Sequence, residues 1–215
     1  ATVAVVRRVF VSGPREKYLD PRQQRLRKAV LNQIEKLGYE LTAFGTPAGG
    51  IGLAAHETWN RNDVITAMRG CVGAVLLGFP YWHRAKHDSA STSLVTEYCH
   101  YEGALASMLG LPILALLERG TAERGAFDPR AGTPVIEVPV NATAKGPATK
   151  QFQDFFESWS EQVKDRRDVF LGYTTSATPV AKAVREALTK DDVTVVDWAR
   201  DFRNAGTILS EIQNA

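Results

Sequence analysis

The chain has 215 residues, 44% hydrophobic and 23% charged, which excludes a disordered chain and leaves room for one domain and part of another. A net charge of +2 excludes the concentrated basic face that nucleic acid or an acidic membrane requires, and the short basic runs Arg7-Arg8 and Lys164 to Arg167 read as solvated flanks of strands. The two cysteines, Cys71 and Cys99, are too few for a disulfide framework or a zinc site, and Ala1 to Val6 is too short for a secretory segment or a membrane span. Together they predict a soluble cytoplasmic protein.

In chain order, Val9-Phe10-Val11 predicts a first strand that stops at Ser12-Gly13-Pro14. Pro21 suits the first turn of a helix, Leu26, Ala29, Val30, Ile34 and Leu37 recur at helical spacing, and Gly38 ends the run. Tyr39 to Phe44 reads as a second strand, so the crossover predicts a parallel sheet. A glycine-rich stretch, Thr46 to Gly52, leads past Trp59 to Asn62-Asp63, a capping pair for a helix over Val64 to Arg69. Val72 to Leu77 is continuously apolar, the pattern of a strand buried on both faces. A polar loop, Tyr81 to Ser93, is expected before a helix over Leu94 to Leu109. Pro112 to Leu117 and Val135 to Val138 supply two more strands, and Phe152 to Val163 an amphipathic helix. The expectation is a flavodoxin-like, doubly wound five-stranded parallel sheet over residues 1–165.

The pattern then restarts. Arg167 to Gly172 echoes Arg7 to Gly13, and a helix (Pro179 to Leu188) and a strand (Val193 to Val196) follow, which predicts a partial second Rossmann-like unit over residues 166–215. Two strands bury too little apolar surface to stand alone. The expectation is therefore a longer parent protein, or a tail packed on the first domain or on a second copy.

In an open parallel sheet, ligands bind at the carboxyl ends of the strands near the point where strand order reverses. Ser12 and Gly13 bring a hydroxyl and a bare amide there, although neither Ser12-Gly13 nor Gly49 to Gly52 makes a dinucleotide fingerprint. Glu97 and Glu102 lie on the helix after the third strand, and the small residues Gly103, Ala104 and Ala106 would let that helix approach the sheet. A carboxylate there suits a nucleophile or a partner for ribose hydroxyls. His56, His83, His87 and His100 lack ligand spacing, so no metal is expected.

These residues carry a resemblance. Val9 to Pro14, Asn62-Asp63 before the buried strand, and the run Glu102, small residues, Gly110 and Pro112 are similar to nucleoside 2-deoxyribosyltransferases over roughly residues 8 to 118. In them Glu102 would be the nucleophile. The family's Asp-x-Gly-Thr before that glutamate is replaced by Ser89 to Ser93 and further residues, which favours binding over base exchange. TIR-like domains of bacterial signalling proteins resemble the segment equally, with a Thr-Glu pair like Thr96-Glu97. Val169 to Tyr173, Trp198, Phe202 and Gly206 to Ile212 resemble the first half of a bacterial TIR domain. In such domains the glutamate at the position of Glu211 cleaves the nicotinamide–ribose bond of NAD.

The resemblance implies a nucleotide-gated TIR effector of anti-phage defence. Its first domain would bind a cyclic nucleotide or NAD-derived signal through Ser12, Gly13, Asp63, Glu97 and Glu102. Its TIR unit would hydrolyse NAD as a substrate, as a homo-oligomer with no tightly bound cofactor. Alternatives are a deoxyribosyltransferase-like N-glycosidase acting at Glu102 and a non-catalytic oligomerisation scaffold.

Overall fold

The computed structural model describes residues 7–43, 59–84, 92–140, 146–166, 169–190 and 193–197. The chain divides into two compact units, Arg7–Val163 and a second made of Lys164–Ala215 with Ala1–Val6.

The first unit opens with β1 (Arg8–Ser12) and α1 (Pro21–Lys36). Asp20 caps α1 by accepting from the Arg22 and Gln23 amides, Gln23 returns a bond to the Asp20 amide, and Pro21 fills the first turn, where its missing N–H costs nothing. Then come β2 (Glu40–Ala43), α2 (Arg61–Arg69) and β3 (Cys71–Gly78). The cap of α2 is Asn60, whose side chain accepts from the Asn62 amide, and not the expected Asn62-Asp63 pair. Asp63 falls in the first turn instead, where a carboxylate suits the positive end of the helix dipole.

A second departure follows β3. The stretch read as a polar loop contains a hairpin, β4 (Trp82–Arg84) paired antiparallel with β5 (Thr92–Leu94). Leu94 is therefore a strand residue, and α3 (Glu97–Met108) begins only after Thr96, whose hydroxyl caps it by accepting from the Cys99 amide. Two backbone bonds hold the open end of the hairpin. The Tyr81 amide donates to the Leu94 carbonyl, and the Ala122 amide donates to the Ser93 carbonyl, each at 2.9 Å. The unit continues with β6 (Ile113–Glu118), β7 (Val135–Val138) and α4 (Lys150–Asp165).

Five strands form one sheet in the order β2-β1-β3-β6-β7, with every neighbouring pair parallel. This is the flavodoxin-like order, in which chain direction across the sheet reverses between β1 and β3. All eight residues of β3 are buried, as its continuous apolar run requires of a central strand. Side chains alternate between two cores. On one face Val9, Val11, Val75, Leu77, Leu114 and Leu116 meet Leu26, Val30 and Ile34 of α1 and Phe152, Phe156 and Trp159 of α4. On the other, Phe10 and Ala74 meet Val64 and Met68 of α2 and Ala106 of α3, while Leu76, Ala115 and Leu117 meet Cys99 and Phe127.

Gly103 sets how closely α3 approaches the sheet. A Cβ there would collide with Ala126 and come within 2.9 Å of Leu76 Cδ1, and Leu76 is buried in the sheet. We expect Gly103→Val to force α3 off β3 and to cost about 3 kcal/mol or more, at the upper end of overpacking effects. A urea midpoint equal to that of the parent chain would contradict this.

The second unit, described by itself, is a βαβ of β8 (Val169–Leu171), α5 (Thr178–Lys190) and β9 (Val195–Asp197), with β8 parallel to β9. Among the described residues, no helix is long and apolar enough to cross a membrane.

Candidate functional site

Ser12 is the last residue of β1, and the alternation that points Phe10 towards α2 and α3 points Ser12 the same way. Its hydroxyl donates to Glu102 Oε2 at 2.5 Å. Glu102 lies in the second turn of α3, on the side that faces the sheet, and is 5% exposed. Its other oxygen, Oε1, accepts from the indole N–H of Trp59 at 3.0 Å. The Trp59 N–H is only a donor, so each carboxyl oxygen is held by one side chain in a fixed orientation. The site thus joins the end of β1, the residue just before the cap of α2, and α3, beside the point where strand order reverses.

The electrostatics pull in two directions. Burial pushes the Glu102 carboxyl above the usual carboxylate range, while the bonds from Ser12 and Trp59 favour its charged form. Cys99, one turn earlier on α3, places Sγ 3.2 Å from Ser12 Oγ. Burial pushes this thiol up to about 12, so it stays protonated at neutral pH and is no nucleophile.

Two further rings pack on Trp59. Trp59 packs edge-on to Tyr101 with centroids 5.1 Å apart and tilted against Tyr98 at 5.3 Å. Tyr98 is 54% and Tyr101 41% exposed. A buried hydrogen-bond acceptor beside partly exposed rings can accept from hydroxyl or amide groups of a ligand while a flat apolar group stacks alongside.

The other expected site residues are placed differently. Glu97 opens α3 and is exposed. Five residues from Glu102, it is turned about 140° around the helix and faces away from that carboxyl. Thr96 next to it serves as the cap. Gly13 is exposed, but a Cβ on it would lie 2.9 Å from Leu77 Cβ, so close contact between the β1 exit and β3 accounts for the glycine. Asp63 is half-buried on α2. Glu211, His56, His87 and the glycine-rich stretch lie outside the described residues. Among the described residues, no group of three or more His, Cys, Asp or Glu side chains could hold a metal ion. Trp59 and Cys99 were not expected at the site. A lone tryptophan before a helix and a cysteine on an apolar face carry no sequence signal for such a role.

No protein-family model matches the chain, and no curated protein or solved structure matches it significantly. What can be said of its chemistry rests on the site itself.

The second unit has a polar cluster of its own at the carboxyl ends of its strands. Asp197, the last residue of β9, is 1% exposed. It accepts from the Tyr173 hydroxyl at 2.9 Å and from Arg185 Nη1 of α5 at 2.8 Å. The turn after β8, the crossover helix and the end of β9 are thereby tied at one carboxylate.

Proposed function

We propose that the Arg7–Val163 unit binds a nucleotide signal at Glu102, and that this binding governs an NAD-hydrolysing TIR-like unit in the C-terminal part of the protein. The observation that carries the first half is the Glu102 carboxyl, buried at the strand-order reversal and held by Ser12 and Trp59 beside the rings of Tyr98 and Tyr101. A ribose offers two hydroxyl donors to such a carboxylate, and a base offers a flat face to such rings. Charge supports the orientation: Glu102 would repel a phosphate, so the sugar and base are the parts that meet this carboxyl.

The second half rests on the resemblance of residues 167–215 to the first half of a TIR domain. There Glu211 would stabilise the positive charge on the ribose as nicotinamide leaves with the bonding electrons and water adds at the anomeric carbon. The signal is a cyclic nucleotide or an NAD derivative, the working form is a cytoplasmic homo-oligomer, and the setting is bacterial antiviral defence. A nucleoside N-glycosidase or deoxyribosyltransferase at Glu102 is the second reading. Its support is the orientation of the carboxyl by Ser12, which a nucleophile also needs.

A thermal-shift panel of cyclic nucleotides, NAD derivatives and deoxynucleosides tests the binding. A ligand at a hundredfold over its Kd stabilises by about 2.7 kcal/mol, and Glu102→Gln is expected to shrink that gain. No shift with any compound would leave only a scaffold role. Release of free base from a deoxynucleoside would replace binding with catalysis at Glu102.

A further inference from the structure

His100 lies on α3 between Cys99 and Glu102, on a different side of the helix. Its side chain is packed under the turn Arg124 to Asp128. Gly125, with φ of 56°, comes so close that a Cβ there would lie 2.9 Å from His100 Nδ1. Phe127 stands edge-on to the imidazole with centroids 5.8 Å apart. Both ring nitrogens are shut off from solvent, and neither has a hydrogen-bond partner. A neutral imidazole always carries one N–H donor and one lone pair, so the closed turn leaves both unused.

We propose that His100 is an acid-released latch, which holds the Arg124 to Asp128 turn on α3 while the ring is neutral and lets it go when the ring takes up a proton. The imidazolium has two N–H donors and a charge, and the closed turn offers an acceptor to neither nitrogen. Burial is the largest influence and holds the imidazole below its ordinary value; of the charged groups facing the ring, Arg124 from the turn also opposes the proton, and Glu97 from α3 favours it without reversing the direction. Asp128, at the far end of the turn, is engaged by Arg130 at 2.8 Å.

The sign follows. The open turn binds a proton at the ordinary histidine value of about 6.5, whereas the closed turn resists it. The closed form is therefore fully favoured above that value and loses ground as pH falls from it towards the lower value of the closed form. The opening equilibrium rises by at most tenfold per pH unit in that window. Release would also uncover Gly103, against which Ala126 is packed, directly after Glu102 on the helix. The latch stands on this packing alone and does not depend on what the Glu102 site binds.

Hydrogen exchange followed by NMR tests the latch. The reporters are the Phe127 amide, which donates to the Arg124 carbonyl, and the Asp128 amide, which donates to the Gly125 carbonyl. With intrinsic rates divided out, their protection is expected to fall between pH 7.5 and 5.5, by up to about tenfold. In His100→Phe that dependence should vanish. Equal protection at both pH values, or the same fall in the variant, would overturn the proposal. Should His100→Phe fail to fold, the imidazole titration in the unaltered chain decides: a midpoint at or above about 6.5 refutes the latch, and one clearly below it upholds it.

Discussion

Glu102→Ala is expected to lower the melting temperature of the Arg7–Val163 unit by about 6–12 °C and to abolish its response to ligand. The substitution removes the acceptor for two donors at once, the Ser12 hydroxyl and the Trp59 indole N–H. A buried donor deprived of its acceptor costs about 1–3 kcal/mol; Cys99 Sγ stays within reach of the Ser12 hydroxyl as a weaker acceptor, and about 3 kcal/mol in total is the expectation for both donors. At about 2–4 °C per kcal/mol for a domain of this size, the temperature range follows. Glu102→Gln keeps one acceptor oxygen but turns an amide N–H₂ towards the second donor, and should lose less.

The two variants also differ from the parent in pH response. Burial raises the carboxyl in the folded chain, so the folded state holds that proton to higher pH than the unfolded state does. Stability from this group is full below the ordinary carboxylate range and is lost as pH rises through the raised value. Relative to Glu102→Gln, the parent should therefore weaken as pH climbs above the ordinary carboxylate range. A parent-to-variant difference that does not change with pH would show that Glu102 is not desolvated as described.

Arg185→Ala is expected to melt the second unit and leave the first intact. Asp197 is 1% exposed, and the part-buried guanidinium of Arg185 bonds to it. Removing one partner of a fully buried ion pair costs about 3–5 kcal/mol; here Arg185 is part-exposed and Tyr173 still donates to Asp197, so the loss falls below that range while the carboxylate stays desolvated. A unit with two short strands among its described residues has little else to offset that. Limited proteolysis reads the result directly. Fast cleavage between Val169 and Asp197, with Arg7–Val163 resistant, is the expected pattern, and unchanged resistance across Val169–Asp197 would refute it. Arg185→Lys should recover only part of the stability, since an ammonium cannot reproduce the planar fork.

The sheet was legible because its strands report burial directly. Val72 to Leu77 has no polar residue, and such a run fits only a central strand covered on both faces, which is where β3 lies. α1 announced itself by periodicity and by Pro21. The hairpin of β4 and β5 was hidden because each strand has three residues and neither alternates apolar with polar, so Trp82 to Arg84 and Thr92 to Leu94 look like loop.

The helix with its small neighbours pointed to Glu102 and the strand end to Ser12, and the structure brings these two together. Trp59 was not legible, because its role depends on reaching a residue 43 positions away, a distance that no local pattern encodes. Gly13 lies against Leu77 and Glu97 stands in the first turn of α3, so each residue type also has a structural cause that its sequence pattern does not separate from a binding role.

The hairpin after β3 has a mechanical consequence. It is tied to the exit of β3 through Tyr81 and Leu94, leads directly into the cap of α3 at Thr96, and is bridged to the exit of β6 through Ser93, Thr121 and Ala122. These backbone bonds join three connections at the carboxyl edge. A shift at the start of α3 would thus reach the β6 exit through these backbone bonds as well as through the sheet.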